Sequence, residues 1–455
     1  MKLNRRELLK ASLVLSGTAL LDRNYLLHGY GAVPFAPFDL PDPQSSGIEH
    51  VVVVTMENRS FDHFFGWLPN ANGKQSGLTF LDPSGVGHST YPLSGDYTGC
   101  PHPDPDHSYS GGRIEYDGGT MDGFLLDSSN DVFSIGYYGE QDIPFLASLA
   151  RSYTTCDNYF VSILGPTLPN RLFLHAAQTD RLDDSVTFSS LPTIWDSLAA
   201  AGVSANYYYS NIPFLALWGA KYLGITKSYD DFLSAAKNGT LPAVSYVDPS
   251  FTTIDDGLGN DDHPHADIRR GDRFLHGTYE AVANGPAWPS TVFIVTFDEW
   301  GGFFDHVPPP RATAANSVDP DVVNGKTLLG FRVGTVIASP FTRGMENSPF
   351  VNHTVFDHTS ILKLIEWVWG LTALTPRDAS NDVGNLASAL NFAQPVVSLP
   401  TLPTSSVPFF PEPCFATLFG GIFSTDGTTT GKREPATKKW RELRKQAAAH
   451  GFAVK

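Results

Sequence analysis

A run of apolar residues near the N-terminus, residues 48–55, contains four consecutive valines, Val51 to Val54. An unbroken β-branched run is typical of a strand buried on both faces, and such strands lie at the centre of parallel sheets. Similar apolar runs recur at residues 203–209, 243–247, 291–297 and 333–339. Segments with helical periodicity, such as residues 143–152 and 193–201, separate them. The sequence therefore predicts an α/β fold with a mainly parallel central sheet flanked by helices.

Two long stretches, residues 66–142 and 252–273, lack this periodicity and are rich in Gly, Pro, Ser, Asp and His. Loops of this length in a compact enzyme are usually functional, so we interpret both as active-site insertions, with a disordered surface insertion as the alternative. A helical run opens at Asp357 or Thr359 and continues through Trp369, and it is expected to pack on the sheet. These elements predict one catalytic domain over residues 45–394.

The remaining chain, residues 395–455, differs from this domain in its amino-acid composition. Residues 395–413 carry repeated prolines and are typical of a linker or a strap over the surface. The stretch from Lys432 to Lys445 holds seven basic residues and has the start and stop signals of a helix. One interpretation is a solvated helix, and the other is a helix that makes a transient contact with a membrane surface.

Residues 1–30 have the pattern of an export signal and leader. Arg5 and Arg6 precede an apolar, charge-free run over residues 11–21, which is too short to span a bilayer comfortably. Paired arginines in this place are typical of twin-arginine signal peptides, so we expect a periplasmic or secreted protein; an ordinary amphipathic helix is the alternative. No later segment has the pattern of a transmembrane helix. The formal net charge of −16 argues against a nucleic-acid partner.

Three cysteines, Cys100, Cys156 and Cys414, permit at most one intrachain disulfide. We expect Cys100 to pair with Cys156, because both flank the predicted active-site segments. Three free thiols are the alternative. No cysteine cluster offers a zinc site.

Acidic and amide side chains directly follow two of the predicted strands. Glu57 and Asn58 come after the valine run, and Asp298 and Glu299 come after the run at residues 291–297. Ligands of open α/β sheets bind at the carboxyl ends of the strands, and these oxygen atoms suit a divalent cation. The alternatives are helix capping by Asn58 and solvent-facing turns for the acids. The pattern predicts a metal site between neighbouring strands.

A candidate nucleophile, Thr167, lies in the sequence Gly-Pro-Thr-Leu-Pro-Asn-Arg, just before a segment of helical periodicity. Backbone N–H groups and the helix dipole at such a place attract a phosphoryl group, although simple helix capping is the alternative. His263 and His265 lie in Asp-Asp-His-Pro-His and suit ligation or proton transfer, with a polar loop as the alternative. His306 lies four residues after Gly302 and is expected to contact the metal ligands without binding the metal ion itself.

Taken together, residues 57–66, 165–171 and 298–307 resemble the bacterial phosphoesterase family of non-specific phospholipases C and related acid phosphatases, within the alkaline-phosphatase superfamily. The resemblance spans residues 48–369. It implies that one divalent metal ion is held by four residues, namely Glu57, Asn58, Asp298 and Glu299. It also implies that Thr167 is the covalent nucleophile and that His107 and His263 contact the phosphoryl group. Further residues expected to bind substrate or support the site are Asn170, His265 and His306.

The function implied by this resemblance is that of an exported, metal-dependent phosphoesterase. We favour a phospholipase C that acts on glycerophospholipids such as phosphatidylcholine through a phosphothreonine intermediate. An acid phosphatase acting on monoesters and an inactive exported binding protein are the alternatives. The tyrosines at 137–138 and 207–209 either offer aromatic faces to a choline headgroup or pack in the core. The ligand set leaves calcium, manganese and zinc open. Sulfatases need a Cys-x-Pro-x-Arg motif, which no cysteine of this chain begins.

Overall fold

The computed structural model describes residues 40–252, 258–342, 349–404, 406–407 and 434–454, and for residues 434–439 it describes the backbone alone. The predicted export signal at residues 1–30, most of the second half of the proline-rich strap and Cys414 therefore lie outside the described residues. The domain boundaries at residues 45 and 394 remain predictions.

An eight-stranded sheet forms the centre of the molecule. Its strands, in spatial order, are β15, β6, β14, β10, β1, β9, β7 and β8, with bounds Phe350–Asn352, Thr154–Cys156, Thr335–Ala338, Thr291–Phe297, His50–Met56, Val244–Val247, Ala205–Tyr209 and Thr226–Ser228. Most neighbours are parallel, and β14 alone runs antiparallel to its two neighbours. The predicted mainly parallel α/β fold is confirmed.

The α-helices of the described residues are numbered in chain order from α1 to α10. Their bounds are Phe61–Phe65, Tyr109–Tyr116, Pro144–Ser152, Thr167–Ala176, Ile194–Ala200, Tyr229–Asn238, Ile268–Ala283, His358–Trp369, Pro376–Ala379 and Glu434–Ala449. Within the layers, α3 packs on α7 and α4 packs on α8. Short strands outside the main sheet are β2 (Thr79–Leu81), β3 (Gly87–Ser89), β4 (Tyr91–Pro92), β5 (Gly136–Tyr137), β11 (Arg311–Thr313), β12 (Val322–Val323) and β13 (Lys326–Leu328).

The valine run behaves as its pattern predicts. All four valines of β1 are fully buried, because β1 lies between β10 and β9 and is covered on both faces. The other four predicted strands correspond to β7, β9, β10 and β14 within two residues at each end. The helix predicted from Asp357 or Thr359 is α8, and the Asp357 side chain caps it by accepting a hydrogen bond from the Thr359 N–H.

The register between β1 and β10 brings the two predicted ligand pairs together. Met56 lies opposite Phe297 in this parallel pair, so both strands end at the same level of the sheet. The Asp298 N–H continues the ladder by donating to the Met56 carbonyl oxygen at 3.0 Å. Residues 57–58 and 298–299 therefore leave the sheet side by side.

The insertion at residues 66–142 is ordered by short elements and side-chain hydrogen bonds. It contains β2 to β5, α2 and several 3-10 turns. Asn130 donates to the Phe124 carbonyl and to Glu115, and Tyr138 donates to the Asp96 carbonyl at 2.6 Å. A disordered surface insertion, the alternative considered for this stretch, is wrong.

The predicted pairing of Cys100 with Cys156 is wrong. Cys156 is a free, buried thiol in β6, whereas Cys100 is part of a disulfide, so the alternative of three free thiols is also wrong. Cys156 lies in β6 between β14 and β15, and burial raises the pKa of its thiol and keeps it in the unreactive, protonated form.

The basic C-terminal helix, α10, packs on the body of the protein through one apolar face. Trp440, Leu443 and Ala447 are buried, and the Trp440 ring stacks on Phe251 with centroids 5.0 Å apart. Beyond the helix, Tyr209 donates a hydrogen bond to the Ala453 carbonyl oxygen. This helix is therefore not solvated on all sides. Among the described residues, no helix has the length and apolarity needed to cross a membrane.

Candidate active site

Four side chains converge where β1 and β10 end. Glu57 and Asn58 follow β1, Asp298 and Glu299 follow β10, and each is at most 1% exposed. Gly301 allows this approach, because it adopts a φ of +66° and a Cβ there would lie 2.2 Å from the Asn58 carbonyl oxygen. The predicted metal ligands thus form one buried group.

Two oxygen atoms of this group lack a hydrogen-bond partner within the described part of the chain, namely Asn58 Oδ1 and Glu299 Oε1. A buried polar atom without a partner costs about 1–3 kcal/mol, so such atoms call for a ligand. Asn58 Oδ1 also lies 2.7 Å from where a Gly301 Cβ would be. These two oxygens, together with the buried carboxylates of Glu57 and Asp298, fit a divalent cation.

The electrostatics of the group also favour a cation. Burial raises the pKa of Glu57 to about 8, with Asp261 and Glu299 adding to the rise and Arg171 opposing it. Burial likewise raises the pKa of Glu299 to about 8, against the opposing effect of His107. The pKa of Asp298 is raised by burial and by Glu57. Arg171 supplies one positive charge to these three acids, and a bound cation would supply the further charge needed to ionise them together.

The candidate nucleophile lies against the first of these carboxylates. Thr167 is the first residue of α4 and is 3% exposed, and its Oγ1 donates to Glu57 Oε2 at 3.2 Å. Thr167 is thus inside the helix, whereas the sequence placed it just before. The next N–H of the helix, that of Leu168, donates to Asp184 at 2.9 Å, so a carboxylate already accepts from the helix N-terminus.

Asn170 supports the loop that leads to the nucleophile. Its Nδ2 donates to the carbonyl oxygens of Ile163, Gly165 and Pro166, and its Oδ1 accepts from the Ile163 N–H. The amide is fully buried. Of the two roles predicted for Asn170, the structure thus favours support of the site over contact with substrate.

Arg171 contacts two of the candidate ligands at once. Its Nε donates to Asp298 Oδ2 at 3.0 Å and to Glu57 Oε1 at 3.2 Å, and its Nη2 lies 3.0 Å from the same Glu57 oxygen. Its Nη1 donates to Asp248 Oδ1 at 2.9 Å. Asp248 in turn accepts from the hydroxyl of Tyr207. The guanidinium therefore fixes the orientation of both carboxylates.

His107 and His263 face each other on the open side of the group, with ring centroids 5.9 Å apart. Each Nδ1 is bonded to a backbone carbonyl, that of Pro105 or Pro264. His107 Nε2 lies 3.9 Å from Glu299 Oε1. Burial lowers the pKa of His107, but nearby carboxylates, led by Glu299, outweigh burial and raise it to about 10. The nearby carboxylates thus favour the protonated form of His107, which makes it a candidate proton donor.

The two other predicted histidines contact different parts of the protein. His265 Nε2 lies 2.9 Å from the His102 carbonyl oxygen. His306 Nδ1 bonds to Asp62 at 2.5 Å and its Nε2 lies 3.2 Å from Asn72. Asp62 also pairs with the buried Arg332, so His306 belongs to a structural ion-pair network.

The predicted aromatic faces are mostly core residues. Tyr138, Tyr207, Tyr208 and Tyr209 are at most 6% exposed, and Tyr137 is half-buried. Tyr207 serves the site indirectly, through Asp248. Of the two interpretations of these tyrosines, packing in the core is the one that the structure supports.

Comparison with known proteins defines the family of this site. Residues 48–372 match the sequence pattern of the Phosphoesterase family. The chain belongs to this family. The predicted family resemblance is thereby confirmed.

Several named proteins are similar in sequence to this member of the Phosphoesterase family. Phospholipase C B of Mycobacterium tuberculosis is 33% identical over 445 residues, which cover 80% of this chain and 81% of that protein. Non-specific phospholipase C1 of Arabidopsis thaliana is 32% identical over 396 residues, covering 78% and 73%. A solved structure of an alkaline phosphatase superfamily protein from Vibrio parahaemolyticus aligns with a TM-score of 0.37 and 10% identity, over 79% of this chain and 77% of that chain.

Sequence reasoning missed several residues of this phosphoesterase site. Arg171 stands in the nucleophile motif, four residues after Thr167, and this helical spacing could have indicated a shared face. Asp248 directly follows β9, which is the same signal that identified Glu57. Asp104 Oδ2 lies 3.7 Å from His263 Nε2, but it lies in an aperiodic loop that gave no signal. Together with His107 and His263, Asp104 forms a group able to hold a cation.

Proposed function

We propose that this phosphoesterase is a metal-dependent phospholipase C, which hydrolyses glycerophospholipids such as phosphatidylcholine to diacylglycerol and a phosphorylated headgroup. The observation that carries the proposal is the hydrogen bond from Thr167 Oγ1 to Glu57 Oε2 within a group of buried oxygen ligands. Relatives named phospholipase C, 33% and 32% identical to this chain, support the choice of a diester substrate.

The residues proposed to hold the metal ion are Glu57, Asn58, Asp298 and Glu299. A divalent cation bound there would supply positive charge for the phosphoryl oxygens and make the hydroxyl of Thr167 more acidic. Calcium, manganese and zinc all remain compatible with ligands of this kind.

The proposed reaction has two displacements at phosphorus. Thr167 Oγ forms a bond to phosphorus, the bond to the diacylglycerol oxygen breaks, and the hydroxyl proton passes toward Glu57 Oε2. The His107 imidazolium, or His263 when protonated, gives a proton to the leaving oxygen. Water then attacks phosphorus and gives a proton to the neutral imidazole, while the bond between Thr167 Oγ and phosphorus breaks. Thr167 Oγ takes back the proton held at Glu57 Oε2, and the phosphorylated headgroup is released.

The test is an assay of purified protein with phosphatidylcholine and with a chromogenic phosphomonoester, each with and without chelator. Release of diacylglycerol that chelator abolishes is the expected result. Phosphate release from the monoester alone would instead assign an acid phosphatase. Turnover of neither substrate would favour a binding protein on an inactive scaffold and would contradict the proposal.

We also propose that the protein is exported by the twin-arginine route, because Arg5 and Arg6 precede a short apolar run. Replacing both arginines by lysine is expected to leave the full-length chain in the cytoplasm. Fractionation of cells that express each form measures this. Equal export of both forms would contradict the proposed route.

A further inference from the structure

Arg171 and Thr167 hold the same carboxylate from two sides. They are four residues apart in α4 and therefore project from one face of the helix. Thr167 Oγ1 contacts Glu57 Oε2, whereas Arg171 contacts Glu57 Oε1. The arginine thus decides which oxygen of Glu57 is left to accept from the nucleophile.

The same guanidinium determines the position of a ligand from the neighbouring strand. Its Nε donates to Asp298 Oδ2, while Asp298 Oδ1 accepts from the Glu299 N–H at 2.8 Å. A planar group with five donors can bond to Glu57, Asp298 and Asp248 together, which a lysine ammonium on a flexible stem cannot match in geometry. Arg171 therefore links the ends of β1, β9 and β10.

One face of this guanidinium is covered by an aromatic ring, which in turn stacks on a second aromatic ring. The Arg171 Cζ lies 4.8 Å from the ring centroid of Phe251. The Phe251 ring stacks on Trp440 of α10, with centroids 5.0 Å apart and ring planes 22° from parallel. The backbone of Phe251 is held in place by two hydrogen bonds with the Asn211 side chain. Water is excluded from this side of Arg171, since Phe251 and Arg171 are at most 1% exposed.

We propose that Trp440 of the C-terminal helix is a positioning residue of the active site. It acts through Phe251 on Arg171, and Arg171 sets the directions of Glu57 and Asp298. Helix α10 is thus a support of the catalytic centre, although its sequence has the pattern of a separate basic tail. The inference rests on the proposed function in one respect, namely that Glu57 and Asp298 hold a cation.

Calorimetric titration of the purified full-length protein with Mn²⁺, Ca²⁺ and Zn²⁺ in turn tests this without any substrate. Partners that orient metal ligands typically contribute about 10- to 100-fold to affinity. We expect Arg171→Lys to weaken binding within that range and Trp440→Ala to weaken it by about 10-fold. Trp440→Phe keeps an aromatic ring in the stack and is expected to restore affinity to within about 3-fold of the original protein.

Two matched variants separate positioning from general loss of packing. Arg377 is also fully buried and paired with a carboxylate, that of Asp357 at 2.9 Å, so Arg377→Lys controls for Arg171→Lys. Tyr209→Phe removes the hydrogen bond to the Ala453 carbonyl and controls for loosening of the C-terminal segment. Both controls are expected to bind the metal ion as the original protein does.

Unchanged metal affinity in Arg171→Lys or in Trp440→Ala would overturn the inference. Equal weakening in Trp440→Ala and Tyr209→Phe would overturn it too, since the effect would then come from general loosening. If Arg171→Lys does not fold by circular dichroism, the comparison of Trp440→Ala with Trp440→Phe decides alone. Absence of metal binding and turnover in the original protein would instead contradict the proposed function.

Discussion

A single side-chain contact gives Thr167 its candidate role. A threonine at the first position of a helix is unremarkable by itself, but the Oγ1 of Thr167 faces a carboxylate whose pKa burial has raised to about 8. Once it is ionised, a carboxylate with a raised pKa is a stronger base than an ordinary one. The proton of the hydroxyl therefore has a defined acceptor.

Replacing the hydroxyl tests this role directly. Thr167→Ala is expected to lower kcat by about 10³-fold or more, because no other atom of the variant can form the covalent bond. Thr167→Ser keeps an oxygen at the same place and is expected to retain part of the activity. Hydrolysis of phosphatidylcholine measures both. An alanine variant as active as the serine variant would contradict a threonine nucleophile.

Protons and metal ions are expected to compete for Glu57 and Glu299. Both acids have a pKa raised to about 8, and a carboxyl group must lose its proton before it binds a cation. Metal affinity should therefore rise with pH up to about 8, by about 10-fold per pH unit for each proton displaced. Titration calorimetry in buffers of different ionisation enthalpy counts these protons, and Glu299→Gln should lower the count.

The free energy of unfolding of the metal-free protein should fall as pH rises, whereas the metal affinity should rise. Because the folded-state pKa of each acid lies above its ordinary value of 4.5, the stabilising effect is complete at low pH and is lost as pH rises through about 8. Metal affinity that does not change over this pH window would contradict the raised pKa values.

The turn after β10 depends on one glycine. Gly301 has a φ of +66°, and a Cβ there would meet the Asn58 backbone oxygen at 2.2 Å. Gly301→Ala is expected to lower the free energy of unfolding by about 2–3 kcal/mol and to weaken metal binding, since either Asn58 or the turn must move.

A surface glycine provides the control for this substitution. Gly202 has a similar φ of +69°, with no heavy atom within 4 Å of the place of a Cβ, so Gly202→Ala isolates the backbone cost of about 1 kcal/mol. Urea unfolding of both variants measures the difference. Equal losses would mean that contact with Asn58 does not matter.

Elements with strong local patterns were predictable, and contacts between distant segments were not. The valines of β1 and the cap at Asp357 were visible in sequence because burial and capping leave local signatures. The three-residue strands β6, β8 and β15 were not visible, because so few residues carry no periodicity. Pairing of Cys100 and the stack of Trp440 on Phe251 depend on the folded chain, so no local rule predicts them.

The proposed metal ion joins the two four-stranded halves of the main sheet, which meet at β10 and β1. Adding Mn²⁺ at about 100 times its dissociation constant should stabilise the folded protein by about 2.7 kcal/mol, which for a chain of this size raises Tm by about 2–3 °C. Asp298→Asn is expected to abolish the rise. Asp357→Asn breaks a buried pair with Arg377 and should lower Tm yet keep the response to metal. A thermal shift assay that finds no response in the original protein would contradict this.

Because the metal ligands follow both β1 and β10, the site can form only after both strands have been synthesised. Glu57 leaves the ribosome early, but Asp298 follows only after more than half of the chain has been made. Until then only the two ligands that follow β1 are present, and two ligands bind a metal ion more weakly than four. Under the proposed twin-arginine route the protein folds, and β1 pairs with β10, before export. The metal supply of the cytoplasm, and not that of the compartment in which the enzyme works, would then decide which ion the finished protein carries.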